Sequence, residues 1–94
     1  MLKTIKFDIL DYLKTEKDIR RYLDDAFEEG DPDFIPIALG DAARARKKIA
    51  DISAATGMKR PNVYRAFRKG SRPSFDIVAK AARALGYRLS LVPC

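Results

Sequence analysis

The glycines of this chain are placed as in a domain built from short helices. Four of the five follow a stretch with apolar residues at helical spacing, namely Gly30, Gly57, Gly70 and Gly86. Glycine readily adopts the left-handed conformation in which many helices end, so each of these positions predicts a helix C-terminus. The remaining one, Gly40, falls inside a helical pattern. It costs about 1 kcal/mol relative to alanine there and indicates a close approach by another part of the chain.

Helical periodicity between these glycines predicts five helices. Thr15 and Asp18 form a capping-box pattern before the first helix, and Ser74 stands at the cap position of the fifth. Pro36 is compatible with the second helix because it falls in the first turn, where its missing N–H has no intrahelical acceptor. The predicted helices cover residues 16–29, 34–46, 48–56, 61–69 and 75–85.

Two terminal segments alternate in polarity instead. Residues 87–92 place Tyr87 and two leucines on one side and Arg88 and Ser90 on the other, and residues 4–9 alternate in the same way. Such alternation is typical of strands, so we expect a strand over residues 87–92 and pairing of the two ends as a small ribbon. The predicted fold is therefore mainly α, with five helices and a short terminal β-strand or two-stranded ribbon.

The length of 94 residues allows one hydrophobic core, so we expect a single domain over residues 1–94. The chain has no His and a single Cys, Cys94, which excludes a disulfide framework, a Cys/His zinc site and a His-based catalytic triad. No apolar run approaches the roughly 18 residues of a membrane-spanning helix, and residues 1–8 lack the apolar run of a signal peptide. We expect a cytoplasmic protein with no metal, cofactor or membrane partner.

The net charge of +6 is unevenly distributed along the chain. Residues 1–33 contain ten acids and six bases, whereas residues 34–94 contain thirteen Lys and Arg and only three acids. An acidic segment followed by a basic remainder indicates a polyanionic partner for the second and a cationic protein for the first. For the acidic segment, a solvated helix face is the alternative.

Residues 49–67, IADISAATGMKRPNVYRAF, carry the pattern of a helix-turn-helix. Counting from Ile49, apolar residues fall at positions 4, 10, 15 and 18, with Gly57 at the turn. Two short helices need apolar or small residues at these places to pack across a tight turn. Ser53 stands at a position that is often alanine, so its hydroxyl needs a partner. Any helical hairpin needs a similar pattern, so the pattern alone does not indicate DNA binding and the surrounding charge has to be considered. The motif is assigned to residues 47–70.

The basic residues around this motif favour nucleic-acid binding. Residues 44–72 hold ten Lys and Arg and one acid, Asp51. On the second helix of the motif, the face opposite the apolar residues is expected to carry Asn62, Arg65, Arg68 and Lys69. In the major groove Arg can bond guanine and Asn can bond adenine bidentately, so this face suits duplex DNA, with a solvated basic face as the alternative. The candidate DNA-binding residues are Lys48, Lys59, Arg60, Asn62, Tyr64, Arg65, Arg68, Lys69 and Arg72.

Some of these candidates are expected to position the protein rather than read sequence. Lys48, near the start of the first helix of the motif, and Lys69 and Arg72, beyond the second, are placed to contact phosphates. Tyr64 falls on the rim between the apolar and basic faces. It either packs on the core or reaches a phosphate with its hydroxyl.

Six short motifs resemble a known family. They are FDILDYL (7–13), GDP (30–32), ALGDAARAR (38–46), ATG (55–57), VYRAF (63–67) and ALGYRL (84–89). In this order they resemble the HigA-like probable addiction-module antidote (antitoxin) family, which has a lambda-repressor-like (Xre-type) helix-turn-helix. The resemblance spans nearly the whole chain. It implies an antitoxin that binds a RelE/HigB-like mRNA-cleaving toxin and represses the operon that the two share.

The chain departs from this family pattern just before the helix-turn-helix. Lys47 and Lys48 stand where a glycine is usual, and Ala50 stands where the helix start usually has a polar residue. The cap of that helix is therefore weakened. A continuous helix through residues 44–48 becomes conceivable, with Lys48 replacing the phosphate contact of the capping side chain.

Carboxylates crowd the end of the first helix, where each opposes the helix dipole by about 0.3 to 1 kcal/mol. Folding alone gives no reason to gather them, so we predict that Asp24, Asp25 and Glu28 meet the cationic toxin. A single helix-turn-helix module buries too little surface for tight operator binding, so a homodimer is expected on duplex operator DNA.

Two other functions are weighed against the antitoxin. A free-standing Xre-type transcriptional regulator without a toxin would share every basic residue named above. A small basic ribonuclease toxin would need a sheet-rich fold and a catalytic base with a positioned acid, and no such constellation stands beside the basic cluster. We therefore expect no enzymatic activity and no catalytic residues.

Overall fold

The computed structural model describes residues 8–94. Over this range the chain forms a short 3₁₀ turn, Ile9–Tyr12, and five α-helices: α1 Glu16–Glu29, α2 Phe34–Ala45, α3 Ile49–Thr56, α4 Arg60–Ala66 and α5 Phe75–Ala84. The predicted helices are confirmed, with α1 at its predicted bounds and α4 shorter than predicted. The four glycines expected at helix ends all have positive φ, between 74° and 93°.

The start of α1 is fixed by the predicted capping box. The Thr15 hydroxyl accepts a hydrogen bond from the Asp18 N–H at 3.1 Å, and the Asp18 carboxylate accepts one from the Thr15 N–H at 3.2 Å. The side-chain hydrogen bond with Thr15 lowers the pKa of Asp18 most, and the bond from the Thr15 N–H lowers it further, because both favour the charged carboxylate. The reciprocal pair satisfies backbone donors that a helix start leaves without intrahelical partners.

Helix α2 lies at the centre of the fold. It packs against α1 and the 3₁₀ turn and also contacts α3 and α5. Six consecutive residues of α2, 38–43, are buried, and the largest fully buried side chains of the core are Leu39, Ile52 and Val63. Since Ile52 belongs to α3 and Val63 to α4, the core joins both helices directly to α2.

Gly40 makes the close approach that its position predicted. A Cβ built at Gly40 would lie 2.6 Å from the backbone carbonyl oxygen of Phe67, which caps α4. That distance is far below van der Waals contact, so only glycine fits between α2 and the end of α4.

The chain turns sharply between α2 and α3, and the continuous helix through residues 44–48 does not form. Lys47 has a φ of 56°, in the left-handed region. The Lys48 N–H donates to the Ala43 carbonyl at 2.8 Å and the Lys47 N–H to the Arg44 carbonyl at 3.2 Å. This is a Schellman motif, with Lys47 at the left-handed position that glycine usually occupies in such a motif. Within residues 8–94, Lys48 makes no side-chain capping bond to α3, in line with the weakened cap.

The strand predicted over residues 87–92 is wrong, since the part of the chain that the structure describes contains no strand. The alternation has another physical origin: Tyr87 and Leu89 are half-buried, whereas Arg88 and Ser90 are exposed. A strand also needs a paired edge, and residues 88–94 make no backbone hydrogen bond to another described residue. The ribbon partner at residues 4–7 lies outside the described residues, and Ile9 begins the 3₁₀ turn.

Candidate nucleic-acid interface

The turn between α3 and α4 is held by two hydroxyl side chains. The Ser53 hydroxyl donates to the Met58 carbonyl, which is the partner that the sequence required for it. The Thr56 hydroxyl donates to the Ile52 carbonyl at 2.7 Å and accepts from the Met58 N–H at 3.3 Å. Gly57, with a φ of 75°, completes the turn. These bonds set the angle at which α4 leaves α3.

Helix α4 presents one buried and one exposed face. Val63 and Phe67 are buried, whereas Asn62 and Arg65 are exposed on the other side. The Arg65 guanidinium donates to the Asn62 side-chain oxygen at 3.3 Å, so the two polar groups point in one direction. The two residue types that read base edges bidentately are thus adjacent and open to solvent.

Helix α4 ends at Ala66, three residues earlier than predicted. The Ser71 hydroxyl donates to the Arg65 carbonyl, and Gly70 takes a positive φ of 86°. This local cap stops the helix, so Arg68 and Lys69 lie in the turn after α4 rather than on its face. Both remain exposed beside the end of the helix.

The structure brings most of the predicted DNA-binding residues to α4 and the turns next to it, and all except the half-buried Lys48 are exposed. We call the following group the basic surface: Lys59, Arg60, Asn62, Arg65, Arg68 and Lys69. Two predicted phosphate contacts are engaged elsewhere. The Arg72 guanidinium lies 2.8 Å from the Asp33 carboxylate, and the Lys48 ammonium lies 3.9 Å from that of Asp51.

Tyr64 lines a cleft of about 390 Å³ between α2 and the pair of helices α3 and α4. Its ring is half exposed, with a relative exposure of 50%. The cleft has Ile37 and Ile49 among its apolar residues and Arg68 and Lys69 among its basic ones. Tyr64 therefore stays on the rim between the apolar and basic faces, where its position in the sequence placed it.

A buried carboxylate lies behind this interface, in a network that joins α1 to α2. Asp41 is only 7% exposed. Its carboxylate accepts a hydrogen bond from the Tyr22 hydroxyl at 2.7 Å. It also forms an ion pair with the Arg44 guanidinium, which donates to it at 2.7 Å. Burial, and then the bond to Asp41, raise the pKa of the Tyr22 hydroxyl. The Tyr22 ring also packs edge-to-face on Phe34, with ring centroids 6.0 Å apart.

The carboxylates of α1 form a second charged surface. Asp24, Asp25 and Glu28 are all exposed, whereas Ile19 and Leu23 on the opposite face are buried. We call these three carboxylates the acidic surface. Its one ion pair among the described residues joins Asp24 to Arg20 at 3.7 Å, with both side chains largely exposed, so it contributes little to stability.

Two ion pairs connect the acidic first third to the basic remainder. The Arg46 guanidinium, at the end of α2, pairs with the Glu16 carboxylate at the start of α1. The Arg72 and Asp33 pair joins the segment after α4 to the start of α2. Both pairs cross between segments of opposite net charge.

Comparison with known proteins identifies the family. The sequence profile of a family described as probable addiction module antidote protein matches residues 3–93. The chain belongs to this family. An uncharacterized protein of Haemophilus influenzae is 33% identical over 85 residues, which cover 90% of this chain and 87% of that relative. No solved structure matches the chain.

Membership of the antidote family confirms the coarse part of the resemblance based on the six motifs, and an antidote implies a cognate toxin as its partner. The more specific HigA-like and Xre-type assignments stay predictions. In residues 8–94, no helix is long and apolar enough to cross a membrane. The same range contains no group of three or more His, Cys, Asp or Glu placed to hold a metal ion.

Two structural features of this antidote-family protein were not predicted from the sequence. Thr56 helps Ser53 to hold the turn between α3 and α4, and a hydroxyl one residue before Gly57 was the available signal. Asp41 is one of only three acids after residue 33, and it lies among apolar residues of α2. A lone acid in such a helix indicates a buried partner, but the pattern did not identify Tyr22 as that partner.

Proposed function

We propose that this antidote-family protein is a DNA-binding antitoxin without enzymatic activity. It neutralises a RelE/HigB-like mRNA-cleaving toxin and represses their shared operon. The observation that carries the DNA-binding part is the exposed pair of Asn62 and Arg65 on α4, which has cations on both sides. The end of α4 is held against α2 by the close approach of Phe67 to Gly40. Family membership carries the antidote part.

The dimensions of α4 suit the proposed DNA contact. A helix of seven residues is about 10 Å long, and the major groove of B-DNA is about 12 Å wide. In this arrangement Asn62 and Arg65 contact base edges. Lys59, Lys69 and other surrounding cations contact phosphates, which gives affinity without sequence information.

The functional unit on DNA is a symmetric dimer in this proposal. One small module buries too little surface for tight specific binding, so two copies share the operator. The operator is then an inverted repeat with half-sites about 34 to 36 Å apart, or a multiple of that distance. A footprint over a single, unrepeated half-site contradicts this arrangement.

The acidic surface is the proposed contact with the toxin. Asp24, Asp25 and Glu28 are exposed on a helix whose other face is committed to the core. Opposite charges speed association by electrostatic steering, while apolar contacts provide most of the affinity. The acidic and basic surfaces belong to different elements, so toxin and DNA are expected to bind at the same time.

The deciding experiment measures both activities on one pair of variants. Charge reversal at Asp24, Asp25 and Glu28 should lower the association rate with the toxin at low salt while leaving operator affinity unchanged or higher. Arg65→Ala should do the opposite, with weaker operator binding and normal toxin neutralisation. Arg20→Ala is the matched control for Arg65→Ala in the operator measurement. It also removes one arginine, but from α1 and outside the basic surface.

Three outcomes would contradict the proposal. If the variant with reversed charges at Asp24, Asp25 and Glu28 neutralises the toxin at the parental rate but loses operator binding, the two surfaces are assigned wrongly. Operator binding without any toxin encoded nearby supports a free-standing regulator instead. Cleavage of RNA by the purified chain contradicts the absence of enzymatic activity.

A further inference from the structure

The cleft between α2 and the pair of helices α3 and α4 carries more positive charge than the fold neutralises. Three cationic side chains line it: Arg44 of α2, and Arg68 and Lys69 from the turn after α4. Arg68 and Lys69 form no ion pair with another described residue. Among the described lining residues, the one carboxylate is that of Asp41, which is buried. We call this space the cationic cleft.

Arg44 is held at one nitrogen of its guanidinium and is otherwise open to an anion. That nitrogen donates to the Asp41 carboxylate at 2.7 Å, and within residues 8–94 no other acceptor bonds the group. The side chain is 45% exposed. A guanidinium has five N–H donors in a rigid fork, so most of them stay available in the cleft. Arg44 is not among the DNA-binding residues that the sequence predicted.

The carboxylate that holds Arg44 is itself held from α1. One oxygen of Asp41 bonds Arg44, and the other accepts from the Tyr22 hydroxyl at 2.7 Å. A side chain that is already ordered loses less conformational freedom when it meets a ligand. The three residues therefore present a cation whose position is set before anything binds.

We propose that the cationic cleft takes a backbone phosphate of the operator, and that Arg44 donates to this phosphate from the position fixed by Asp41 and Tyr22. The inference rests on the DNA binding of the proposed function and adds a contact from α2, outside α3 and α4. Asp41 and Tyr22 are positioning residues in this arrangement. They do not contact the DNA themselves but determine where Arg44 stands.

A DNA phosphate is the occupant that the surroundings of the cleft favour. Arg68 and Lys69 belong both to the basic surface and to the cleft, so the cleft continues the face on which DNA is proposed to lie. A guanidinium can donate two parallel hydrogen bonds to a phosphate. The apolar side chains of Ile37 and Ile49 also line the cleft. They lower the local dielectric constant, which strengthens the attraction between the cations and the phosphate.

Salt titrations of operator binding test the contact with charge-matched variants. Arg44→Gln removes the charge but keeps an amide that can donate to Asp41, so the fold should be retained. It should lower operator affinity about tenfold at low salt and reduce the salt slope by about one. Arg44→Lys keeps the charge and should keep the slope. Arg20→Gln, which breaks an exposed pair with Asp24 on α1, is the matched control and should change neither quantity. Equal losses for Arg44→Gln and Arg20→Gln overturn the proposal.

Neutral phosphates in the operator locate the contact without altering the fold of the protein. Single phosphates are replaced in turn by uncharged methylphosphonates, and the affinity of the parent and of Arg44→Gln is measured for each duplex. At one position in each half-site, the parent should lose more affinity than Arg44→Gln, because that phosphate is the partner of Arg44. If the two proteins lose the same affinity at every position, the proposal is overturned.

Tyr22→Phe tests the positioning role, since it changes no charge at neutral pH. Measured well below the melting temperature, it should weaken operator binding about two- to threefold while Arg44 is present. In an Arg44→Gln background it should cause no further loss, because the group that it positions is already absent. The same loss in both backgrounds shows a purely structural role and overturns the positioning by Tyr22.

The outcomes separate this inference from the proposed function. If Arg65→Ala loses operator binding while Arg44→Gln keeps the parental affinity and slope, DNA binding stands and the cleft contact is overturned. If the protein binds operator and random duplexes equally, with a slope that falls in Arg44→Gln, the cleft contact stands and sequence reading fails. If Arg44→Gln slows only the association with the toxin, the cleft holds an acidic segment of the toxin and the phosphate contact is overturned. Absence of any DNA binding by the parent overturns both.

Discussion

The backbone carbonyl oxygen of Phe67, at the end of α4, lies 2.6 Å from the point where a Cβ at Gly40 would stand. The proposed DNA-reading helix is therefore seated on α2 by direct contact between backbones. Position 40 controls how closely α4 approaches α2, and through that distance it controls the placement of the basic surface.

Gly40→Ala should destabilise the protein by about 1 to 3 kcal/mol, although alanine is intrinsically better in a helix by about 1 kcal/mol. The reason is that the added methyl meets a backbone atom, which cannot rotate away. Thermal unfolding measures the loss, and operator affinity should fall with it because α4 is displaced. A variant that melts at or above the parental temperature would show that α2 and α4 can separate without cost.

Lys47→Gly should stabilise the protein by about 0.5 to 1 kcal/mol, because a residue with a side chain pays for the left-handed φ of 56° that glycine adopts freely. Lys48→Gly is the matched control. It removes the same charge from a residue with a φ of −108° and should not stabilise the protein. Denaturant unfolding of both variants gives the comparison, and equal effects would mean that the turn after α2 holds no strain.

Asp33→Asn should increase operator affinity by up to about fivefold at low salt, because it releases Arg72 from an exposed ion pair worth at most about 1 kcal/mol. Asp33 makes no capping bond to α2 from its side chain among the described residues, so the fold should tolerate the change. Asp31→Asn removes the same charge without touching Arg72 and serves as the control. A similar gain for both variants would indicate a general effect of net charge.

Tyr22→Phe should cost about 1 to 3 kcal/mol, because it leaves the buried Asp41 carboxylate with one partner fewer. The raised pKa of Tyr22 has a second consequence. The stability that it contributes is complete below the ordinary tyrosine pKa of 10.0 and is lost as the pH rises above it. As the pH rises above 10, the free energy of unfolding should therefore fall more steeply for the parent than for Tyr22→Phe. If the free energies of unfolding of both proteins change with pH in parallel, folding does not change the pKa of the Tyr22 hydroxyl.

Arg65→Ala should weaken operator binding by about 1 to 3 kcal/mol and relax specificity at one base pair, whereas Lys69→Ala should weaken all sequences alike and lower the salt slope by about one. The difference follows from base contact by Arg65 and phosphate contact by Lys69. Titrations on the operator, on single-base variants and at several salt concentrations measure it. An equal loss on every sequence for Arg65→Ala would assign base reading to another residue.

Local signals in the sequence predicted most of this fold. Capping residues and glycines act within a few positions of a helix end, so the bounds of α1 and the turn at Gly57 could be deduced. The end of α4 could not, because the Ser71 hydroxyl that stops it comes six residues after the carbonyl it contacts. The alternation of residues 87–92 was informative about packing, but a strand also depends on a partner that the pattern does not contain.

The candidate site was predictable in composition and less so in pairing. Asn62 and Arg65 are exposed on one face of α4, as helical spacing predicts. The pairing of Arg72 with Asp33 joins residues far apart in the sequence, and the partners of Asp41 belong to two different helices. Such contacts depend on how α1, α2 and α4 pack, which residue spacing alone does not determine.

The central position of α2 also bears on how this protein is lost from a cell. The acidic and basic surfaces are built on elements that share the buried residues 38–43 as their common support. A protease that cuts α2 when it transiently opens would disable both surfaces in one event. Under the proposed function, the toxin would then be freed at the moment when transcription of the operon resumes. Proteolytic cleavage of one helix would thus couple release of the toxin to renewed synthesis of the antitoxin.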